Sequence, residues 1–186
     1  MSVYDAQLIQ QTILQFKENN DDGPVILLFD ADNTLFQFSI YGQEPSALRS
    51  MYSRNFFKNL PVFPEAPIVI ENLQKLGFKC GIVSSAIDSP YCIPEKTQSF
   101  QYYFPMISEE DIFILPQGVS KAERMIDVFG SIKRVILVED YYININDWYE
   151  HGGVAIKKSY SGKLRPVPVI TSLIDLFYVL RDLNAY

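Results

Sequence analysis

The stretch Val25-Ile-Leu-Leu-Phe-Asp30-Ala-Asp32-Asn-Thr34-Leu-Phe36 decides the fold. Its apolar run is too short for a helix and follows the breaker run Asn20-Asp-Asp-Gly-Pro24, so it reads as a strand buried on both faces, as at the centre of a parallel sheet. Asp30 and Asp32 sit at its carboxyl end. Residues i and i+2 of an extended backbone project to the same side, which makes the two carboxylates converge just beyond the sheet, where open α/β sheets bind ligands. Acids that close raise one another's pKa unless a cation neutralises them, and an all-oxygen donor pair suits Mg²⁺. The competing reading is a solvated turn, since Asp and Asn are common turn residues. Packing explains two acids at the mouth of a buried strand poorly.

A chain of 186 residues with 48% hydrophobic composition can bury a core, and its length argues for a single domain over 1–186 with a small insertion. The start, Met1-Ser-Val-Tyr-Asp-Ala-Gln7, has neither the basic residues nor the apolar run of a signal peptide, and no segment is apolar enough to span a bilayer. A cytoplasmic protein with no membrane partner is expected. Cys80 and Cys92 are too few and too isolated for a disulfide framework or a zinc site. A net charge of −6 argues against a long nucleic acid, whose binding rests on many Lys and Arg contacts; a small anionic substrate remains, met by locally concentrated positive charge.

In chain order, Leu8, Ile9, Ile13 and Phe16 predict a helix over 4–19. After Asp32 come Phe36, Phe38 and Tyr41, then Leu48, Met51, Tyr52, Phe56 and Phe57 at near-helical intervals, which predict a small helical insertion at about 35–62 over the strand tips. A helix opened by Pro64 and closed by Gly77 precedes a second buried strand, Lys79–Ser85. A hydroxyl at its end could donate to a phosphoryl oxygen, with Ser84 the candidate and Ser85 its neighbour. Residues 89–105 read as an aromatic loop and 111–115 as a third strand. Ser120-Lys-Ala-Glu123 has capping-box spacing, so a helix starts there and stops at Gly130. Lys121 falls in its first turn, where the helix dipole does not favour a cation; solvent exposure and a phosphate-facing role both remain open.

A fourth strand, Arg134–Val138, ends in Glu139 and Asp140. Carboxylates recurring at the same end of two core strands suit one octahedral cation. A fifth strand over 153–156, a basic loop with Lys157, Lys158, Lys163 and Arg165, and a last helix capped by Thr171 complete the chain, while Trp148 and His151 read as structural. The sum is an α/β fold: a three-layer Rossmann-like core around a mostly parallel sheet of about five strands, with a short helical insertion after the first.

Taken in order, Asp30-Ala-Asp32-Asn-Thr34, Ser84, Lys121 and Glu139-Asp140 resemble the four signatures of the haloacid dehalogenase (HAD) superfamily and span nearly the whole domain. A narrower resemblance, to the 5'(3')-deoxyribonucleotidases, rests on Ser53-Arg-Asn-Phe-Phe57, Ser84-Ser-Ala-Ile87 and Tyr91-Cys-Ile-Pro-Glu-Lys96. The resemblance implies an Mg²⁺-dependent phosphomonoester hydrolase acting through an aspartyl-phosphate, on a nucleoside monophosphate or another small phosphate ester. Asp30 would be the nucleophile and Asp32 the proton carrier. Mg²⁺ would be held by Asp30, the Asp32 backbone carbonyl and Asp140, with Glu139 orienting that shell. Ser84 with Lys96 or Lys121 would bind the phosphate, and Phe38 would contact the base. The chain departs from those nucleotidases in three ways: a shorter segment before Pro61, Glu139 in place of the first of two aspartates, and Asp88 where they carry a further lysine. An open site under a short cap leaves room for a protein or larger phosphoester substrate, or for a second copy of the chain covering it. A phosphate- or metal-binding protein without turnover is the remaining alternative.

Overall fold

The structure, a computed structural model, describes residues 5–18, 24–41, 45–160 and 166–186. Helix α1 (Ala6–Glu18) starts where Asp5 Oδ1 accepts the N–H groups of Gln7 and Leu8 at 3.0 and 3.1 Å. Strand β1 (Ile26–Phe29) follows. The segment after it holds a 3₁₀ turn at Phe38–Tyr41, helix α2 (Pro45–Ser50) and a second 3₁₀ turn at Phe57–Asn59. Then come α3 (Ala66–Lys75), β2 (Lys79–Ala86), α4 (Cys92–Tyr103), β3 (Ile112–Pro116), α5 (Lys121–Phe129), β4 (Val135–Glu139), α6 (Tyr142–Glu150), β5 (Val154–Lys158), β6 (Val169–Ile170) and α7 (Leu176–Asp182).

All strands pair in parallel, in the order β3-β2-β1-β4-β5-β6. The chain winds outward from β1 through β2 to β3, then crosses to β4 on the other side of β1. The strand order therefore reverses between β1 and β4, and a ligand crevice is expected beyond the carboxyl ends of those two strands. Alternation divides the core: Leu27, Phe29, Ile136 and Val138 pack with α3, α4 and α7, whereas Leu28, Leu137 and Ala155 pack with α5 and α6. The result is three layers. No helix among the described residues is long and apolar enough to cross a membrane.

The structure corrects several sequence expectations. The sheet has six strands rather than about five, because Val169–Ile170 is a two-residue edge strand just after Pro168, too short to show a period. Residues 89–105 are mostly helix α4 and not a loop; its buried side includes Glu95, Lys96 and Ser99, so the apolar stripe that betrays a helix is broken by polar residues facing inward. Helix α6 had no expected counterpart. The cap near the carboxyl end is Ser172, which accepts the N–H of Ile174, while Thr171 instead donates to Asp175. Lys163 and Arg165 of the expected basic loop lie outside the described residues, as does the Asn20–Gly23 part of the breaker run.

The first turn of α4 fixes the segment between β1 and α3 against the sheet. The Glu95 carboxylate accepts the backbone N–H groups of Asn55 (2.6 Å), Phe57 (3.1 Å) and Lys58 (3.4 Å), and Ser99 Oγ donates to the Phe57 carbonyl at 3.4 Å. Asn55 has φ 67°, a left-handed conformation that Asn tolerates well, which turns the chain so these donors converge on one carboxylate. Glu95 is 8% exposed. Its loss would leave the buried Phe57 N–H and two partly buried ones unpaired, so Glu95→Ala is expected to lower unfolding stability by about 2–3 kcal/mol in urea titrations; a change below about 0.5 kcal/mol would show that this carboxylate holds nothing in place.

Candidate active site

Four loops converge beyond the carboxyl ends of β1 and β4. Asp30 follows β1 directly, and its N–H donates to the Val138 carbonyl at 2.9 Å, so the sheet ladder itself sets its position. Asn33, at φ 61°, turns the chain sharply; its Oδ1 accepts the Ser39 N–H at 2.6 Å and its N–H donates to the Phe36 carbonyl at 2.7 Å. The turn brings Phe38 back over the strand tips. Asp30, Asp32, Asn33, Phe38, Lys121, Glu139 and Asp140 line one cavity of about 860 Å³, whose far wall comes from Gln117–Ser120 and from Tyr141, Ile143 and Asn146 of the β4–α6 region.

Lys121 is 1% exposed, which removes the solvent reading of its place in the first helical turn. Its ammonium donates to Asp30 Oδ1 at 2.5 Å and to Glu139 Oε2 at 2.8 Å. Those two carboxylates are what offsets the unfavourable helix dipole. The Ser120 cap expected from the sequence is present, its Oγ accepting the Glu123 N–H at 3.0 Å, and Gly130 ends the helix at φ 76°. Glu139 is saturated: Oε1 accepts from the Asp140 and Tyr141 N–H groups, and Oε2 from Lys121 and Asn144.

Two expected phosphate ligands, Ser84 and Lys96, are not among the residues that line this cavity. Ser84 is fully buried and its hydroxyl accepts from Lys96, while the next residue, Ser85, lines the cavity; successive residues of a strand face opposite sides, and this choice between neighbours was the one the sequence left weakest. Lys96 is 3% exposed and donates to Asp32 Oδ2 (2.6 Å), Ser84 Oγ (2.8 Å) and the Ser85 carbonyl (2.9 Å). Asp32 Oδ1 is enclosed without a hydrogen-bond partner. Phe38 meets the cavity while packing edge-on against Phe56 at 5.7 Å, whereas Phe36, Phe56 and Phe57 are core side chains; the Tyr41 side chain lies outside the described set. Sequence reasoning missed Asn33, Asn144 and Lys157, whose Nζ donates to the Asp140 carbonyl at 2.7 Å. Asn33 stood inside the quoted motif, but nothing in a sequence distinguishes a turn asparagine from one that also bonds Asp140.

No protein-family model matches the chain, and no curated protein matches it. Solved structures do. A HAD family hydrolase from Deinococcus radiodurans R1, solved with bound phosphate and sodium, superposes with a TM-score of 0.63 at 13% identity over 89% of this chain and 98% of its own. The HAD-hydrolase YfnB from Bacillus subtilis, bound to magnesium, gives 0.63 at 17% identity over 84% and 98%, and a dehalogenase gives 0.60 at 15% over 86% and 98%. This chain has the HAD fold.

Within the HAD fold of this chain three acids meet at the strand tips. Asp30, Glu139 and Asp140 each present an oxygen within 4.8 Å of the others, an all-oxygen donor set of the kind hard divalent ions take. Burial, then the charge of Glu139, pushes Asp30 up to about 7 despite Lys121, and burial with Glu139 and Asp30 pushes Asp140 up to about 9. Burial also works against ionised Glu139, yet Lys121 and the surrounding donors hold it below the usual carboxylate range. Burial disfavours charged Lys121, but Asp30 and Glu139 outweigh it and its pKa is raised. Lys121 pairs with two of the three acids, and Lys157 reaches the backbone carbonyl of the third.

Both raised carboxyls bind protons more tightly in the folded than in the unfolded chain, where 3.8 is the ordinary value. Metal-free stability is therefore complete below about pH 4 in this respect and declines as pH rises through about 7 and about 9. Thermal midpoints in chelator should fall over that range, and a divalent cation should raise them far more at about pH 8 than at about pH 5. A cation effect equal at both pH values would mean that the ion binds elsewhere.

Proposed function

We propose that this chain is an Mg²⁺-dependent phosphomonoester hydrolase that works through an aspartyl-phosphate on Asp30, with a small phosphate ester such as a nucleoside monophosphate as substrate. The observation that carries the reading is Asp30 itself: a carboxylate at the switch point of the sheet, one oxygen held by Lys121, facing a cavity of about 860 Å³. Bound phosphate and bound magnesium in two structures of the same fold support it. The cavity volume lies within the range of small-ligand sites.

Lys121 fixes Asp30 through Oδ1, which leaves Oδ2 to attack phosphorus in line with the ester oxygen. As the new O–P bond forms and the ester P–O bond breaks, Asp32 gives a proton to the departing alkoxide. It then takes one from the water that hydrolyses the acyl phosphate, restoring Asp30 and releasing phosphate. Asp30 and Asp140 would hold Mg²⁺, with Glu139, its oxygens fully occupied by donors, orienting that shell. The ion supplies positive charge that lets an anionic nucleophile approach an anionic ester. Lys121 adds fixed charge at the same place, and Ser85 offers a hydroxyl at the cavity wall. The short insertion at 35–62 serves as a partial cap, with Phe38 its contribution to the leaving-group end.

The test is a substrate panel of nucleoside monophosphates, sugar phosphates, phosphopeptides, an aryl phosphate and a short 2-haloacid. Purified protein with Mg²⁺ should release phosphate, a chelator should stop it, and Asp30→Asn should abolish it with the fold retained by circular dichroism. Halide release from the haloacid with no phosphate from any ester would replace this reading with a dehalogenase.

Phe38 tests the substrate class. Stacking a base on one aromatic ring is worth roughly 1–3 kcal/mol, so Phe38→Ala should cost about one to two powers of ten in kcat/KM for a nucleoside monophosphate and much less for an ester without a base. Equal losses on both would make Phe38 a packing residue of the insertion and remove the nucleotide assignment.

A further inference from the structure

We infer that Lys96 is a positioning residue for Asp32 and does not bind the phosphate, an inference that rests on the phosphatase reading above. A lysine ammonium has three protons to donate and no acceptor. Here all of them are engaged inside the protein: on Asp32 Oδ2, on Ser84 Oγ and on the Ser85 carbonyl, at 2.6, 2.8 and 2.9 Å. The side chain is 3% exposed and is not among the residues that line the large cavity, with its charge 5.0 Å from the centroid of the Phe57 ring. For a phosphoryl oxygen to accept from it, one of these hydrogen bonds would have to break.

The geometry instead fits a bracket. Two of the acceptors, Ser84 Oγ and the Ser85 carbonyl, belong to β2, so they fix the ammonium against the sheet; the third is the carboxyl oxygen of the proton carrier. Lys96 therefore determines where Asp32 Oδ2 sits relative to the strand tips, and hence its distance from the ester oxygen that must receive a proton as the P–O bond breaks. The residue before it, Glu95, holds the backbone at Asn55, Phe57 and Lys58. Adjacent residues of one helical turn thus hold the insertion on one side and Asp32 on the other, which ties the placement of the cap to the placement of the acid.

The two roles for Lys96 separate kinetically. A phosphate ligand acts on every ester alike and on inorganic phosphate as an inhibitor. A residue that aims the proton carrier acts most where the leaving group needs a proton. We therefore specify Lys96→Met, assayed with Mg²⁺ on an alkyl phosphate and on an aryl phosphate with an acidic leaving group, together with the inhibition constant of inorganic phosphate. The expected result is a fall in kcat for the alkyl ester at least ten times greater than for phosphoenzyme formation with the aryl ester, with the inhibition constant changed less than about twofold. Equal losses on both esters with a tenfold weaker phosphate inhibition would overturn the inference in favour of a phosphate ligand. Equal losses that track only a smaller folded fraction would overturn it in favour of a purely structural lysine. If the methionine variant does not fold, Ser84→Ala removes one of the acceptors that anchor Lys96, and the same three quantities decide: selective loss on the alkyl ester supports positioning, and weakened phosphate inhibition opposes it. Absence of turnover by the wild-type protein on either ester would remove the phosphatase reading itself, an outcome distinct from all of these.

Discussion

A buried ammonium between two buried carboxylates is the constraint on which the rest of this molecule depends. Lys121 enters from α5, Asp30 closes β1 and Glu139 closes β4, so one charge cluster joins the helix layer to the two strands between which the sheet order reverses. Removing one member of such a cluster strands the others without compensation, at a typical cost of 3–5 kcal/mol. Asp140 lies beside the same cluster, so three carboxylate oxygens stand within 4.8 Å of one another at the strand tips.

How much of this was legible depended on whether a residue's task showed in its own neighbourhood of the sequence. The buried strands did, because five apolar residues ending in acids leave few alternatives. The Ser120 cap and the Gly130 stop did, because their partners lie within one turn. Helix α4 did not: Glu95, Lys96 and Ser99 point inward toward backbone donors and acceptors contributed from residues distant in the chain, so the segment looks too polar for a packed helix until those partners are in place. The same holds at the site. That Lys121 must have company was readable from its misfit with the helix dipole, but that the company is Asp30 and Glu139, or that Ser85 and not Ser84 reaches the cavity, is settled only by the register of β1, β2 and β4.

The three solved structures named above share 13% to 17% sequence identity with this chain. What survives at that level is the fold. The rest of the cavity lining is contributed by Phe38 beside the Asn33 turn, Met51 from the segment after α2, and residues of α6, a helix that no pattern in the sequence announced.

The pairing of β1 with β4 also governs the order in which the molecule can be built. Ile26 lies beside Val135 and Phe29 beside Val138, partners separated by more than a hundred residues, while the strand on the other flank of β1 is reached much sooner. Closing that long loop is entropically slow, and contacts so distant in sequence lower folding rates. During synthesis β1 and β2 can meet early, but the acids of β4 arrive only after most of the chain has emerged. The clustered carboxylates therefore come together late, along with the strand and helices that complete both hydrophobic layers.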